Sequence, residues 1–396
     1  MKTIYLDNNA TTAVAPEVLQ AMQPYLQEFY GNPSSMHTFG GHLHRKVEEA
    51  RAAVAALLGA QPEEIIFTSC GTESDNTAVM SALESFPDKR HVITTRVEHP
   101  AVLNFCRHLE RKGCRVTYLP VDRSGRLNVT DLKNALSDDT AIVSVMYANN
   151  ETGVVFPIAE IGGILQERKI LFHTDAVQAA GKVPIDVRTL PVDMLSLSGH
   201  KLHAPKGIGV LYVRKGTRYY PYLIGGHQEH GRRAGTENLA SIVGFGKACE
   251  LAGDVGGEAA VLSRMRDKLE SGLLRSCSDC RVNGDTEHRL PNTTNISFEF
   301  IEGEAILLRL DEYGVCASSG SACSSGSLEP SHVLRAMGIP FTAIHGSIRF
   351  SLSRYNTEAE IDRVIEIMPL ITRDLRAISP YDKESICRIF PSAESI

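Results

Sequence analysis

Short apolar segments alternate with helical patterns between residues 64 and 214. The apolar segments are rich in β-branched and aromatic residues, which favour strands, and helical patterns follow from about residues 72, 100 and 158. Strands that alternate with helices predict an α/β layer on a mainly parallel sheet, whose ligands lie beyond the carboxyl ends of the strands. The predicted strands are 65–67, 91–95, 115–119, 141–147, 170–174, 194–197 and 208–213.

A different pattern begins after about residue 264, where a helix precedes two segments of alternating apolar and polar residues, 294–300 and 347–353. The alternation predicts half-buried strands. Thr357 and Glu360 are spaced as a capping box and open a long helix with one apolar face. These elements predict a second, smaller α+β domain.

The predicted domains follow from this change of pattern. We expect a large domain at residues 13–263 and a small domain made of residues 1–12 and 264–396. The first dozen residues contain a short strand that could join either domain, and we assign it to the small one. The polar tail from Ser379 is expected to be loosely held.

Composition excludes several classes of protein. The formal net charge is −6 and the basic residues are scattered, which argues against a nucleic-acid surface and favours a small-molecule substrate. The amino terminus lacks the apolar core of a secretory signal, and no apolar stretch is long enough to span a membrane. Nine irregularly spaced cysteines do not suggest a disulfide framework, so a cytoplasmic location is expected.

Cys323 is the most conspicuous candidate for chemistry. It lies among serine, glycine and alanine residues in the segment 318–327, where no large side chain is available to bury it. A thiol in such surroundings is expected to react rather than to pack in a core.

Lys201 and Asp175 each follow an apolar strand. Burying a lysine there would be costly, but an aldehyde cofactor would remove its charge by forming a covalent bond with the amine. Asp175 could pair with a protonated pyridine nitrogen, as pyridoxal phosphate requires. Alone, the position of Lys201 favours a solvent-facing strand end, and Asp175 could equally be a helix cap; together they favour the cofactor.

Three further positions suit a cofactor enzyme. Gly71 lies in a turn that opens a helix, where free amides attract phosphate, although an ordinary turn would look the same. His99 follows a strand and could stack on a flat ring and shuttle protons, or be structural. Arg349 lies in the polar phase of its strand and could bind a carboxylate through two hydrogen bonds, or form a surface salt bridge.

The segment 225–236 mixes glycines, histidines and arginines, and His227, Glu229 and His230 raise the alternative of a metal site. Consecutive loop residues are a poor ligand geometry, so we do not favour a metal there.

A set of short motifs extends over nearly the whole chain, and in combination they are specific. They resemble the motifs of pyridoxal-phosphate cysteine desulfurases of the NifS/IscS type, within the fold-type I aminotransferase superfamily (class V), with the NifS branch favoured. The resemblance implies a large domain with a mainly parallel seven-stranded sheet and a smaller α+β carboxyl-terminal domain. The motifs are Tyr5-Leu6-Asp7-Asn8-Asn9-Ala10-Thr11-Thr12, Gly31-Asn32-Pro33-Ser34-Ser35, Thr72-Glu73-Ser74, Glu98-His99, Asn149-Asn150-Glu151-Thr152-Gly153, His173-Thr174-Asp175, Ser198-Gly199-His200-Lys201, Arg232-Arg233-Ala234-Gly235-Thr236, the Cys323 segment and Arg349.

The resemblance also implies roles for individual residues. Lys201 would bind the aldehyde of pyridoxal 5'-phosphate, Asp175 would pair with its ring nitrogen, Gln178 would bond its ring hydroxyl and His99 would stack on the ring. The phosphate would be held by residues of both subunits of a homodimer, namely Gly71, Thr72, Ser198 and His200 together with Thr236 of the second subunit. The substrate would be oriented by Asn150 and Arg349.

The implied function is desulfuration of L-cysteine to L-alanine, with the sulfur carried as a persulfide on Cys323. An iron–sulfur scaffold protein would accept this sulfur, with nitrogenase maturation as one destination, and Cys323 is a candidate iron ligand during the transfer. The alternatives are a selenocysteine lyase or an aminotransferase of the same fold, and, without enzymatic activity, a scaffold or metal-binding protein.

Overall fold

The computed structural model describes residues 3–319 and 330–380. Its strands are β1 (Ile4–Tyr5), β2 (Ile65–Thr68), β3 (His91–Thr95), β4 (Arg115–Leu119), β5 (Thr140–Ser144), β6 (Leu171–Asp175), β7 (Met194–Ser198), β8 (Gly209–Val213), β9 (Cys280–Val282), β10 (Thr293–Phe298), β11 (Val315–Cys316) and β12 (Ser347–Ser351). Its helices are α1 (Pro16–Gln27), α2 (Thr38–Gly41), α3 (His44–Leu58), α4 (Gly71–Ser85), α5 (Pro100–Arg111), α6 (Val129–Ala135), α7 (Ile158–Arg168), α8 (Leu239–Leu251), α9 (Val255–Ser276), α10 (Gly303–Glu312), α11 (His332–Ala336), α12 (Phe341–Ile344) and α13 (Glu358–Ile378).

The centre of the fold is a seven-stranded sheet in the order β2-β8-β7-β6-β5-β3-β4. Only β8 runs antiparallel to its neighbours in this sheet. The prediction of a mainly parallel seven-stranded sheet is therefore confirmed. The carboxyl ends of β6 and β7, neighbours in parallel, meet at the same edge.

The sheet is apolar on both faces because each face is covered by helices. Ile65 and Ile93 pack in the core on one side, which also contains residues of α3 and α8. Ile66 and Val92, their neighbours in sequence, pack on the other side with residues of α4 and α5. A strand buried on both faces needs an almost continuous apolar run, which is the pattern seen in the sequence.

A second core is formed by β10 and β12 together with helices α9, α10 and α13. Strand β1 pairs with β11 in parallel, Ile4 opposite Val315, and both residues belong to this core. Helix α9 begins at Val255, well before the helix predicted after residue 264. The domain boundaries at residues 12/13 and 263/264 remain a prediction.

The expectation that β10 and β12 are half-buried is wrong, since every residue of both strands is buried. The polar side of β12 does not face solvent, because the amino-terminal segment covers it. Asn9 N donates to Ser351 Oγ over 2.9 Å, and Arg349 bonds Asp7.

The capping box predicted at the start of α13 is present. Thr357 Oγ1 accepts from Glu360 N, and Glu360 Oε2 accepts from Thr357 N over 3.0 Å.

Across residues 3–319 and 330–380, none of the helices has the length and apolar character needed to cross a bilayer.

Candidate active site

A cavity of about 400 Å³ opens at the carboxyl edge of β6 and β7. Asp175 ends β6, and Lys201 lies in the single turn, Gly199–Lys201, that follows β7. Because parallel strands bring their carboxyl ends to one edge, residues distant in sequence meet here. The predicted site residues that line the cavity are Gly71, Thr72, His99, Asn150, Asp175, Gln178, Ser198, His200, Lys201 and Arg349.

Lys201 is held inside this cavity by the amino-terminal segment. Its Nζ donates to the carbonyl oxygens of Asn9 and Ala10, each over 2.6 Å. Lys201 therefore does not point freely into solvent, as the alternative would require. The two carbonyls fix where the amine stands without neutralising its charge.

Asp175 fills the capping role that its position suggested, and its pairing with a pyridine nitrogen stays a prediction. The side chain is 6% exposed, and its Oδ1 accepts from Val177 N over 2.9 Å, so it caps the turn after β6. Its carboxyl also lines the cavity. Burial raises the pKa of Asp175 to about 6, against the opposing effects of the Val177 N–H and the Lys201 ammonium. A cationic group in the cavity would favour the ionised form.

The start of α4 offers a place for an anion. Helix α4 begins at Gly71, and the side chain of its N-cap, Cys70, makes no capping hydrogen bond. A Cβ added at Gly71 would lie 2.9 Å from Cγ2 of Val177, so the close approach of the two segments requires glycine. Helix-start amides and the helix dipole both attract phosphate.

His99 is held as a neutral ring. Its Nδ1 accepts from Ala101 N over 3.1 Å at the start of α5. Burial lowers the pKa of His99 to about 4, and the charges of Lys201 and His332 add to this effect. A neutral ring that accepts at Nδ1 carries its proton on Nε2, so the geometry favours His99 as a proton donor at that atom.

Arg349 is buried, only 3% exposed, so the alternative of a surface salt bridge is wrong. Its Nη2 donates to Asp7 Oδ1 over 2.7 Å and its Nη1 to the carbonyl of Asn150 over 3.0 Å. Among the described residues, its Nε has no hydrogen-bond partner. A buried guanidinium with a spare donor beside the cavity fits a carboxylate.

Asp7 and Asn9 also belong to the site, although no role was predicted for either residue of the motif 5–12. Asn9 bonds the Asn150 carbonyl through Nδ2 over 3.1 Å, and its own carbonyl accepts from Lys201. The sequence signal that could have indicated them is the run of polar residues 7–9, shortly after strand β1.

Thr236 lies outside the main cavity. It lines a separate cavity of about 170 Å³ with Glu229 and Arg233. Its predicted role depends on a second subunit and stays a prediction. Glu229 forms a buried ion pair with Arg51, whose Nη1 lies 2.6 Å from Oε2, and is thus committed to a structural contact.

The metal alternative concerned His227, Glu229 and His230 of this loop. The structure brings together no group of three or more metal-ligating side chains within the ranges 3–319 and 330–380.

Cys323 lies outside the described residues, so its predicted roles as nucleophile and iron ligand stay predictions. Described residues on either side of Cys323 adjoin the site. Ser318 and Arg349 exchange two backbone hydrogen bonds, of 3.2 and 2.7 Å. On the other side, Ser331 Oγ donates to Glu151 Oε2 over 2.5 Å. Glu151 follows Asn150, which lines the cavity.

Comparison with known proteins identifies the relatives of this chain. The family model described as Aminotransferase class-V matches residues 4–364. A cysteine desulfurase of Trichormus azollae is 63% identical over 386 residues, 97% of this chain and 96% of that protein. The cysteine desulfurase NifS of Azotobacter vinelandii is 58% identical over 383 residues, 96% of this chain and 95% of that protein.

A solved structure described as a NifS-like protein superposes with a TM-score of 0.89 at 40% identity, covering 94% of this chain and 100% of that one.

Proposed function

The chain belongs to the aminotransferase class-V family, and from this premise we propose that it is a cysteine desulfurase that converts L-cysteine to L-alanine and retains the sulfur on Cys323. The observation that carries the proposal is the shared cavity of Lys201, Asp175 and Arg349. An amine, a buried carboxyl and a buried guanidinium are the groups needed to bind an aldehyde cofactor and an amino-acid carboxylate together.

The cavity fits pyridoxal 5'-phosphate. Lys201 would bind its aldehyde, Asp175 would pair with its ring nitrogen, and the start of α4 at Gly71 and Thr72 would hold its phosphate. The fit rests on the uncapped start of α4, the glycine that close packing requires and the buried carboxyl of Asp175. When bound, this cofactor supplies an aldehyde that captures amines and a ring that withdraws electrons from the substrate α-carbon.

The remaining residues bind the substrate and move protons. Arg349 binds the carboxylate of L-cysteine through its unpartnered Nε, while Asp7 and Asn150 keep the guanidinium in place. Lys201 is the base that takes the α-proton, since its amine stands in the cavity on two carbonyls. His99 holds a proton on Nε2 at the wall of the same cavity.

Cys323 receives the sulfur. Its thiolate attacks the sulfur of the substrate, the carbon–sulfur bond breaks, and the carbon skeleton leaves as L-alanine after taking up protons. The net change is L-cysteine and a thiol giving L-alanine and a persulfide, with no outside oxidant. Ser318 and Ser331, described residues on either side of Cys323, contact Arg349 and Glu151, which supports a role for Cys323 in the chemistry of this site.

A homodimer completes this proposal, with Thr236 entering the second subunit's site. An apolar surface beside Thr236 supports it: the segment before α2 adjoins the Thr236 loop, since Ser34 Oγ donates to Glu237 Oε1 over 3.4 Å. Contiguous exposed apolar side chains mark association surfaces. The exposed apolar residues of α1, α2, the segment between them and residues 220–224 are Leu26, Phe29, Tyr30, Met36, Phe39, Tyr220, Tyr222, Leu223 and Ile224.

The persulfide is donated to an iron–sulfur scaffold protein. The similarity to a relative named NifS supports nitrogenase maturation as the destination of the sulfur. The same cavity would also suit a selenocysteine lyase or an aminotransferase. The need for Cys323 distinguishes the desulfurase from both.

The test is a defined reaction with purified, cofactor-loaded protein. L-Cysteine should yield alanine, and mass spectrometry should find one added sulfur on Cys323. Lys201→Ala should abolish alanine formation, with the rate falling by about 10³-fold or more. Protein that binds pyridoxal phosphate yet forms no alanine from L-cysteine would overturn the desulfurase assignment.

A further inference from the structure

Lys182 lies next to the site and has no role in the scheme above. It follows Gln178 in the turn after β6, and its Nζ donates to both the backbone carbonyl and the side-chain Oε1 of Gln178, each over 3.1 Å. Lys182 itself does not line the cavity, whereas Gln178 does.

These contacts determine the orientation of the Gln178 amide. An amide oxygen and nitrogen are hard to tell apart by shape, but a lysine amine approaches carbonyl oxygens as a donor. Oε1 therefore faces Lys182. Nε2 faces the other way and donates to the carbonyl of Asn9 over 2.9 Å.

One hydrogen on Nε2 remains after this assignment. The amide nitrogen of glutamine carries two hydrogens, and Asn9 accepts only one of them. Gln178 is 5% exposed, so the second hydrogen is available to the cavity rather than to solvent. The Asn9 carbonyl also accepts from Lys201 Nζ, which places Gln178 beside the cofactor-binding lysine.

We propose that Lys182 is a positioning residue that fixes the Gln178 amide so that it offers the cavity an N–H donor and not an oxygen. This inference rests on the proposed function, because the acceptor is an anionic ring oxygen of bound pyridoxal phosphate. Without Lys182 only the Asn9 carbonyl would hold the amide, and a rotated amide would present Oε1, which would repel such an oxygen.

The orientation holds in both charge states of Lys182. Burial and the charge of Lys201 lower the pKa of Lys182 to about 7. The neutral amine keeps two hydrogens, enough for the two Gln178 oxygens.

The experiment follows the cofactor spectroscopically in Lys182→Met, which keeps the length of the side chain and removes its donors. The readouts are the affinity for pyridoxal phosphate and the pH at which the visible absorption of the bound cofactor titrates. A donor to an ionised oxygen stabilises it, so losing the donor should move this titration upward by about one pH unit. Lys182→Arg should restore the wild-type titration, and Lys247→Met, on α8 and paired with Glu250, should leave it unchanged.

A double-mutant cycle separates positioning from general damage. If Lys182 acts through Gln178, then Lys182→Met should shift the titration no further in a Gln178→Ala background. Additive shifts, or an unchanged titration in Lys182→Met, would overturn the inference. If Lys182→Met does not fold, Gln178→Glu, which keeps a partner for Lys182 but removes the N–H, should show the upward shift, and an unshifted titration overturns it.

Failure of the wild-type protein to bind pyridoxal phosphate would instead count against the proposed function.

Discussion

Arg349 and Asp7 form an ion pair of 2.7 Å between residues 342 positions apart in the sequence. Asp7 belongs to the segment that follows β1 and bridges to Ser351 at the end of β12. Asp7 and the Asn150 carbonyl occupy the two terminal nitrogens of the guanidinium, and Nε is left without a partner among the described residues. The pair therefore orients Arg349 while leaving it able to bind a further anion.

Arg349→Lys should raise the KM for L-cysteine by about 10- to 100-fold, because an ammonium lacks the planar fork that bonds Asp7 and Asn150 while aiming a further donor at the carboxylate. Steady-state alanine formation measures this, and the visible absorption of the cofactor should stay. The matched control is Arg373→Lys, an exposed arginine of α13 paired with Asp374. An unchanged KM would show that the carboxylate binds elsewhere.

Cys323→Ser tests the identity of the sulfur acceptor. Without a thiol the protein should bind cofactor and substrate normally but lose alanine formation from L-cysteine by at least about 10²-fold, since the hydroxyl is a far weaker nucleophile. The measurement is alanine release under limiting external thiol. Cys114→Ser, a half-buried cysteine before β4, is the control. Full activity in Cys323→Ser would overturn the persulfide mechanism on Cys323.

Local patterns allowed much of the fold to be predicted. The capping box of Thr357 and Glu360 and the apolar strands of the central sheet depend on neighbours a few residues away, so the sequence reveals them directly. The start of α9 was hidden, because Gly256 and Gly257 have low helix propensity; Asp254 caps this turn by accepting from Gly257 N over 3.0 Å.

Other features depend on contacts between distant segments. The alternation in β12 predicted a solvent face, but the segment around Asp7 covers it and turns Arg349 into a buried residue. The orientation of Gln178 likewise depends on where Asn9 lies. The motifs indicated which chemical groups the site contains, whereas only the structure shows the hydrogen-bond partners of those groups.

Ile224→Glu should weaken the proposed dimer. Ile224 is 87% exposed within the apolar surface beside Thr236, and a buried charge there would oppose association. Analytical ultracentrifugation should show a rise in the dimer dissociation constant, with weaker cofactor binding in parallel. Leu308→Glu, at a 70% exposed leucine of α10, should change neither. An equal effect of both variants would place the interface elsewhere.

Glu98→Gln should change how stability depends on pH. Glu98 is fully buried; its Oε1 accepts from Thr95 Oγ1 and Met146 N, and within the described ranges Oε2 has no partner. Burial raises its pKa from 4.5 to about 8. As pH rises from about 4.5 to 8, the Glu98 carboxyl loses its proton in the unfolded chain but keeps it in the folded protein. Glu98 therefore makes the free energy of unfolding fall with rising pH.

Removing the carboxyl removes that contribution. The free energy of unfolding of Glu98→Gln, relative to wild type, should therefore increase between about pH 4.5 and 8, by at most about 1.4 kcal/mol per pH unit. Urea unfolding at several pH values measures the difference. Glu366→Gln, an exposed partner of Arg363, should show no such trend. A constant offset in Glu98→Gln would mean that Glu98 is ionised in the folded protein.

Arg51→Ala should destabilise the protein strongly. Arg51 and Glu229 are both buried and share two hydrogen bonds, of 2.6 and 2.9 Å, and Glu229 also accepts from Phe67 N in β2 over 2.9 Å. Removing the guanidinium leaves an uncompensated buried carboxylate, which typically costs about 3–5 kcal/mol. Arg45→Ala, which breaks an exposed pair with Glu49, should cost about 0–1 kcal/mol.

The double variant Arg51→Met with Glu229→Gln should be less destabilised than the sum of its single changes, because no lone charge remains buried. Glu229 and His230 have positive φ angles of 48° and 57°, a conformation unfavourable for both residues, so the ion pair holds a strained turn. Loosening that turn should also displace Thr236, and the variants should lose cofactor affinity along with stability. If Arg51→Ala is destabilised but keeps its affinity for the cofactor, this turn does not contribute to the partner's site.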